Sequence, residues 1–418
     1  MTAQAFRPHV LDMFEPQNHP DDIPYPGGPP TPPYDNAGWT LAYQMGVEFD
    51  RILDPFSGPF VKLTGFAPVP AGTVAATPVA SGWYAWARTN DGFAAANRLL
   101  KAGQEVHVLT RDATAGGRAW PAGTFVARAT PAATPMVRAL ATERGVSFTT
   151  LAAQPEAGAM KRMSIPRIGL WDVYGGSMSS GWMRFVFEQF EFPYENVFAK
   201  DLDSADLNAR YDVLILPDDA SLAQTDTARG FEFRGQPPVE RVPEEWRNRL
   251  GRITVAKTLP RLRAFVENGG TLLAVGDAAA IAYQLELPVS NAIVGDDDKP
   301  LPRAKYYVPG SVLSVAVDTS NPVAWGMNGR TDIFFDNNPA FRIKGDGSAK
   351  RVAWFDSEAP LRSGWAWGQK VLDGAAQVVV APVGKGEVIL YGPQVHFRGQ
   401  THGAFPFLFN GVFYGQSR

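Results

Sequence analysis

The clearest pattern lies in residues 164–290, where short apolar runs alternate with stretches of helical period. Arg167–Asp172 and Thr271–Val275 read as buried strands, and Tyr211–Pro217 is a near-continuous apolar run of the kind found when both faces of a strand are covered. Between and after them, Ser180–Phe190, Leu259–Asn268 and Ala278–Leu285 read as helices. Strands alternating with helices imply parallel pairing through crossovers. The polar, proline-containing stretch 219–258 is predicted to be an excursion over one face.

A smaller α/β pattern precedes this region. Gly92–Lys101 carries an alanine-rich face and is closed by Gly103, a C-cap signal, while Thr134–Arg144 reads as a second helix ending at Gly145. Glu105–Thr110 and Gly123–Arg128 read as strands. Beyond residue 300 strand signals dominate. Ser311–Asp318 alternates, Ala375–Pro382 and Gly386–Tyr391 flank the hairpin turn Val383-Gly384-Lys385-Gly386, and Phe405–Phe413 reads as an aromatic helix. No internal repeat is visible, and Asp296-Asp297-Asp298 reads as a solvated loop.

The first segment is different. Nine prolines fall in the first 33 residues, and proline fixes φ and removes an amide donor, so an extended arm is predicted. A free linker would be polar; this arm carries Phe14, Tyr25, Tyr34 and Trp39, which predicts that it lies packed on a surface. A helix is plausible at Trp39–Gly46.

Composition narrows the function classes. The chain has 418 residues, 45% of them hydrophobic, enough for two or three cored units. Its net charge of −3 is spread without a basic stripe, so no nucleic-acid partner is expected. No apolar run is long enough for a membrane span, and the first residues lack the apolar core of a signal peptide. The absence of cysteine removes disulfides, thiolate metal sites and a cysteine nucleophile.

Candidate chemistry gathers where strands end, because open α/β sheets bind ligands beyond their carboxyl edges. At Gly276-Asp277 a turn follows the strand Thr271–Val275, and Asp277 could act as a base or weak nucleophile, or cap the next helix. His396 follows the strand Gly386–Tyr391; it could be catalytic, or structural with its ring on a carbonyl. Trp171, Tyr174, Gly175, Gly176 and Trp182 form an aromatic, glycine-rich turn that could line a sugar or peptide pocket together with Gly276, or serve simply as a tight connection with a serine N-cap. Gly270 and Gly276 make no dinucleotide fingerprint. His402, His9 and His19 lie at spacings that fit no metal face, so neither a metal site nor a cofactor is predicted.

Two resemblances follow from these residues. Gly269–Ala280 and Gly392-Pro393-Gln394-Val395-His396 resemble the nucleophile turn and the histidine segment of class I glutamine amidotransferases, but Asp277 and alanines stand where that family has cysteine. The resemblance implies an α/β fold with a flavodoxin-like, amidotransferase-like parallel sheet, helices on both faces, a small α/β unit and a proline-rich arm. It divides the chain into an arm (1–70), a small α/β domain (71–160) and an amidotransferase-like domain with a strand-rich end (161–418).

Phe6–Gln17, Tyr25–Pro30, Pro33-Tyr34-Asp35, Gly38–Leu41, Ile165–Leu170, Gly181-Trp182, Glu188–Tyr194, Asp212–Pro217 and Phe397–Gln400 are similar to the region that follows the catalytic domain in large bacterial zinc carboxypeptidase-like proteins. Their zinc motif pairs a histidine with a glutamate three residues on, and no histidine here has that neighbour. The resemblance implies a non-catalytic accessory module that scaffolds, presents substrate or associates. Its partner would be a zinc carboxypeptidase catalytic domain in cis or in trans, or a second copy in a homo-oligomer. It also implies exported relatives. A hydrolase using Asp277 and His396, and a sugar- or peptide-binding module, are the alternatives.

Overall fold

The computed structural model describes residues 5–74, 82–224, 236–345 and 347–417. The chain forms two compact units, Met1–Gly46 with Pro166–Gly415, and Val47–Ile165 with Gln416–Arg418. The boundaries differ from the three-segment expectation: the arm is divided at Gly46, its first part belonging with the large unit. It is also not wholly extended, since it holds α1 (Arg7–Phe14) and the short α2 (Leu41–Met45). Pro8 sits in the first turn of α1, where its missing amide costs nothing.

The smaller unit is an antiparallel sheet with two helices. Its strands are β1 (Trp83–Trp86), β2 (Val106–Leu109), β3 (Phe125–Arg128), β4 (Thr149–Leu151) and β5 (Met160–Arg162), in the order β4-β1-β3-β2-β5. Helix α3 (Asn90–Lys101) starts at Thr89, whose side chain accepts from the Gly92 amide, and α4 (Ala133–Arg144) ends at Gly145 in the left-handed conformation. Phe93, the three alanines 94–96 and Leu99 bury the predicted face of α3.

The larger unit is mixed α/β. Its parallel half contains β6 (Ile168–Trp171), β7 (Glu195–Val197), β8 (Val213–Leu216), β9 (Thr271–Val275) and, far along the chain, β14 (Gly386–Tyr391), ordered β7-β6-β8-β9-β14. Helix α5 (Met178–Gln189) joins β6 to β7, and α6 (Thr258–Glu267) precedes β9. The antiparallel half is inserted between β9 and β14. It runs through β10 (Ser311–Val317), β11 (Arg330–Phe335), β12 (Lys350–Trp354) and β13 (Ala376–Val383), with β13 turning tightly into β14 as predicted. Helix α7 (Phe405–Val412) closes the unit and is almost wholly buried.

Two expectations need correction. The helix over Ala278–Leu285 is instead a 3-10 turn, Gly276–Ala280, followed by one α-turn, Ile281–Gln284. Strand β10 has no solvent face despite its alternating pattern. All seven residues are buried, and its serines find partners inside: Ser311 Oγ donates 2.9 Å to the Trp365 carbonyl.

Residues up to Gly46 belong with the large unit, but not through the aromatic side chains that suggested packing: Tyr25, Tyr34 and Trp39 are exposed, and polar contacts hold the segment instead. Gln17 is the hub. Its Oε1 accepts from the amides of Trp39 and Thr40 and from Ser363 Oγ, while its own amide donates to Ser363 Oγ and its carbonyl accepts from Gly364. Gly38 lies so close to Ser363 that a Cβ would stand 2.2 Å from the Ser363 carbonyl oxygen. Among the described residues no helix is long and apolar enough to cross a membrane.

Candidate functional site at the carboxyl edge of the parallel sheet

Strand order reverses at β6, which has β7 on one side and β8 on the other. The polypeptide leaves the carboxyl ends of β6, β8, β9 and β14 in four connections, and these build one polar cluster around the start of α5. The cluster begins with Asp172, which is buried just after β6. Its Oδ1 accepts from the amides of Val173 and Ser177, both at 2.8 Å, and fixes the intervening Gly175-Gly176 turn, whose glycines take φ of 90° and 83°. Ser177 then caps α5: its Oγ accepts from the Ser180 amide at 3.0 Å and donates to Asp219 Oδ1 at 2.6 Å. The tight-connection reading therefore accounts for this turn.

Beyond β8 comes the pair Asp218-Asp219. Asp218 accepts the Asp277 amide on Oδ1 at 2.8 Å, and its own amide donates to Ser179 Oγ at 3.2 Å. The turn at Gly276 is shaped around this carboxyl group. Gly276 has φ of 58°, and a Cβ there would lie 1.8 Å from Asp218 Oδ1. Burial pushes the Asp218 carboxyl up to about 7, helped by the charges of Asp277, Asp219 and Asp336 and opposed by the Asp277 amide. Asp277 is raised as well, first by loss of water around its carboxylate and then by Asp336. Its side chain keeps an exposed surface, the nearby Asn338 side chain partly offsets the rise, and the turn has no side-chain cap, so Asp277 is not a helix cap.

His396 is 1% exposed. Its Nε2 lies 2.9 Å from Ser179 Oγ and 3.1 Å from the Ser179 carbonyl. A carbonyl only accepts, so this geometry puts the ring proton on Nε2. The free lone pair then sits on Nδ1, which is buried and has no hydrogen-bond partner among the described residues. Burial lowers the ring to about 4, against the Ser179 bond and the charge of Asp219. The ring is thus a neutral donor toward the serine. It cannot take a proton from Ser179 Oγ in this tautomer, and no carboxylate orients Nδ1 as a hydrolytic triad requires.

The other predicted residues scatter. Trp171 is buried in β6 as part of a hydrophobic core cluster. Trp182 is half-buried and packs edge-on against Phe185 at 6.0 Å, with Gly399 beside them; Tyr174 is half-buried. No hydrogen bond joins Asp277 to His396 among the described residues; they are linked only in series through Asp218 and Ser179. His402 packs against Phe405, and His19 Nε2 meets the Ala37 carbonyl at 2.8 Å. Among the described residues no group of three or more histidine, aspartate or glutamate side chains is arranged to hold a metal ion.

Sequence reasoning allowed for the serine cap that Ser177 provides but passed over Asp172, Ser179, Asp218 and Asp219. One signal was available: Pro217-Asp218-Asp219 follows directly on the apolar run of β8. The pairing of Ser179 with His396 had none, since 217 residues separate them.

No protein-family model and no curated protein matches the chain. Among solved structures it is similar to a cytoplasmic protein from Salmonella typhimurium, at 13% identity and a TM-score of 0.34 over 58% of this chain and 97% of that one. A ThuA-like protein from Bacteroides uniformis matches at 10% identity and a TM-score of 0.32, over 59% of this chain and 90% of its own. A β-galactosidase from Bacillus circulans matches at 11% identity and a TM-score of 0.33, over 61% of this chain and 32% of its own. At these TM-scores the neighbours lend the chain neither a fold name nor an activity.

Proposed function

We propose that the chain is a non-catalytic accessory module, built on a flavodoxin-like, amidotransferase-like sheet and acting beside a zinc carboxypeptidase-like catalytic domain by scaffolding or substrate presentation. One observation carries this reading: the histidine at the carboxyl edge spends its ring proton on the Ser179 carbonyl and hydroxyl. A buried neutral donor of this kind holds α5 to the connection after β14 and does not itself act as the base for a nucleophile. The absence of a histidine–glutamate zinc pair in the sequence points the same way.

The test is to incubate the purified chain with zinc and peptides and to follow release of the C-terminal residue, with ester and amide hydrolysis measured alongside. No turnover above the uncatalysed background is expected in any of the three. Turnover abolished by His396→Ala would refute the reading.

A hydrolase with a remodelled pocket draws on one different observation, a carboxyl group at Asp218 that titrates near neutrality beside Ser179 and Asp277. Under that reading Asp218→Asn would remove an activity that His396→Ala leaves in place.

A further inference from the structure

The connection that opens the smaller unit is unlike a linker. Residues 51–70 are exposed throughout and contain no helix or strand, yet they are rich in large apolar side chains. Leu53, Phe56, Phe60, Val61, Leu63 and Phe66 all face water, Phe60 being 70% exposed and Val61 84%. With a phenylalanine offering about 150–250 Å², the apolar surface displayed is on the order of 800 Å², about the share that one partner brings to a standard interface. A monomer seldom leaves a contiguous patch of that size uncovered.

The order of side chains says what covers it. Three of the five residue pairs that flank Gly58 are matched. Counting outward, Phe56 matches Phe60, Asp54 matches Lys62, and Leu53 matches Leu63. Two copies laid antiparallel about an axis through Gly58 therefore place ring on ring, leucine on leucine, and each aspartate on a lysine of opposite charge. A two-fold interface has this property, with residue i meeting j and j meeting i. Among the described residues of one chain the innermost match is already made, Phe56 against Phe60 edge to face at 5.5 Å. Among the described residues Asp54 and Lys62 form no ion pair with each other, and Leu53 and Leu63 are exposed. Pro55 and Pro59 remove amide donors on both sides of the axis, so the contact is made by side chains and not by an added strand.

We infer that residues 51–66 are a self-association segment whose occupant is the same segment of a second copy of this chain. This stands apart from the proposed function and survives its failure, because it uses none of the carboxyl-edge residues.

Sedimentation velocity on the full chain over a wide concentration range tests it. A reversible dimer is expected. Phe60→Asp should raise the dissociation constant at least a hundredfold. Asp54→Lys and Lys62→Asp should each raise it several-fold by setting like charges opposite each other, and the double reversal should restore it. Unchanged circular dichroism and melting temperature show that each variant still folds. A chain that stays monomeric at every concentration overturns the inference, as does a dimer indifferent to these substitutions. It also fails if the variants lower the melting temperature at constant mass, since the segment would then pack on its own chain.

Discussion

Asp218 is subject to opposing demands. Burial and the neighbouring carboxylates favour its protonated form, the Asp277 amide favours its charge, and the first group prevails, leaving it near 7. An aspartate in an unfolded chain titrates at about 3.9. Between those values the folded chain keeps a proton that the unfolded chain has released, so this contribution is complete at low pH and is lost as pH rises through about 7. His396 has the opposite sign. Its folded value is depressed to about 4, so its contribution is present above the ordinary histidine range and disappears as pH falls through that value. Asp218→Asn removes the first effect and spares the second. The difference in unfolding free energy between the native chain and this variant, from urea titrations, is expected to decline steadily from pH 4 to pH 7 and then level off. A difference that stays constant would mean that Asp218 is ionised throughout in the folded chain.

The segment after β9 shows how a neighbour can overrule a local pattern. Ala278, Ala279, Ile281 and Ala282 are buried while Asp277, Ala280, Tyr283 and Gln284 reach the surface, a pattern a helix would satisfy, but the carboxyl group of Asp218 pins the Asp277 amide at the start of the segment. The chain takes a 3-10 turn there, and Glu286 at φ of 58° ends the short helix that follows. Gly276 is what allows the approach. Alanine at that position would bring a left-handed backbone penalty and a direct collision with Asp218, for a loss of about 2 kcal/mol or more. Chemical denaturation of Gly276→Ala checks this, and the double variant with Asp218→Gly should recover part of the loss because the collision is gone while the backbone penalty stays.

On the scale of the whole molecule, the docked part of the arm behaves as an added layer of the large unit, held at Gln17. Replacing Gln17 by alanine removes the acceptor shared by the Trp39 and Thr40 amides and the Ser363 hydroxyl, while the Thr40 hydroxyl keeps the Glu15 carbonyl; a donor left buried without a partner costs about 1–3 kcal/mol. The expected outcome is local. Residues 15–46 should gain early cleavage sites that the native chain protects, seen by mass spectrometry of early fragments, while the sheet itself resists. Simultaneous loss of resistance everywhere would mean that the arm and sheet unfold together.

The amino-acid order by itself determined the elements with a strong period or a continuous apolar run. These are the strands β6, β8, β9 and β14 of the parallel half, helices α3 to α6, the β13–β14 turn, and the glycine stops at Gly103 and Gly145, since local propensity and burial pattern agree at those places, whereas the short, mostly polar β7 gave no such signal. It also marked the edge of the sheet where polar residues would collect. Only the tertiary structure decided which of them meet. Ser179 reaches His396, Asp218 reaches the Gly276 turn and Gln17 reaches Ser363 because strand order and the packed arm bring distant segments within hydrogen-bond range. Burial then sets the protonation of these groups, and no spacing along a chain encodes burial.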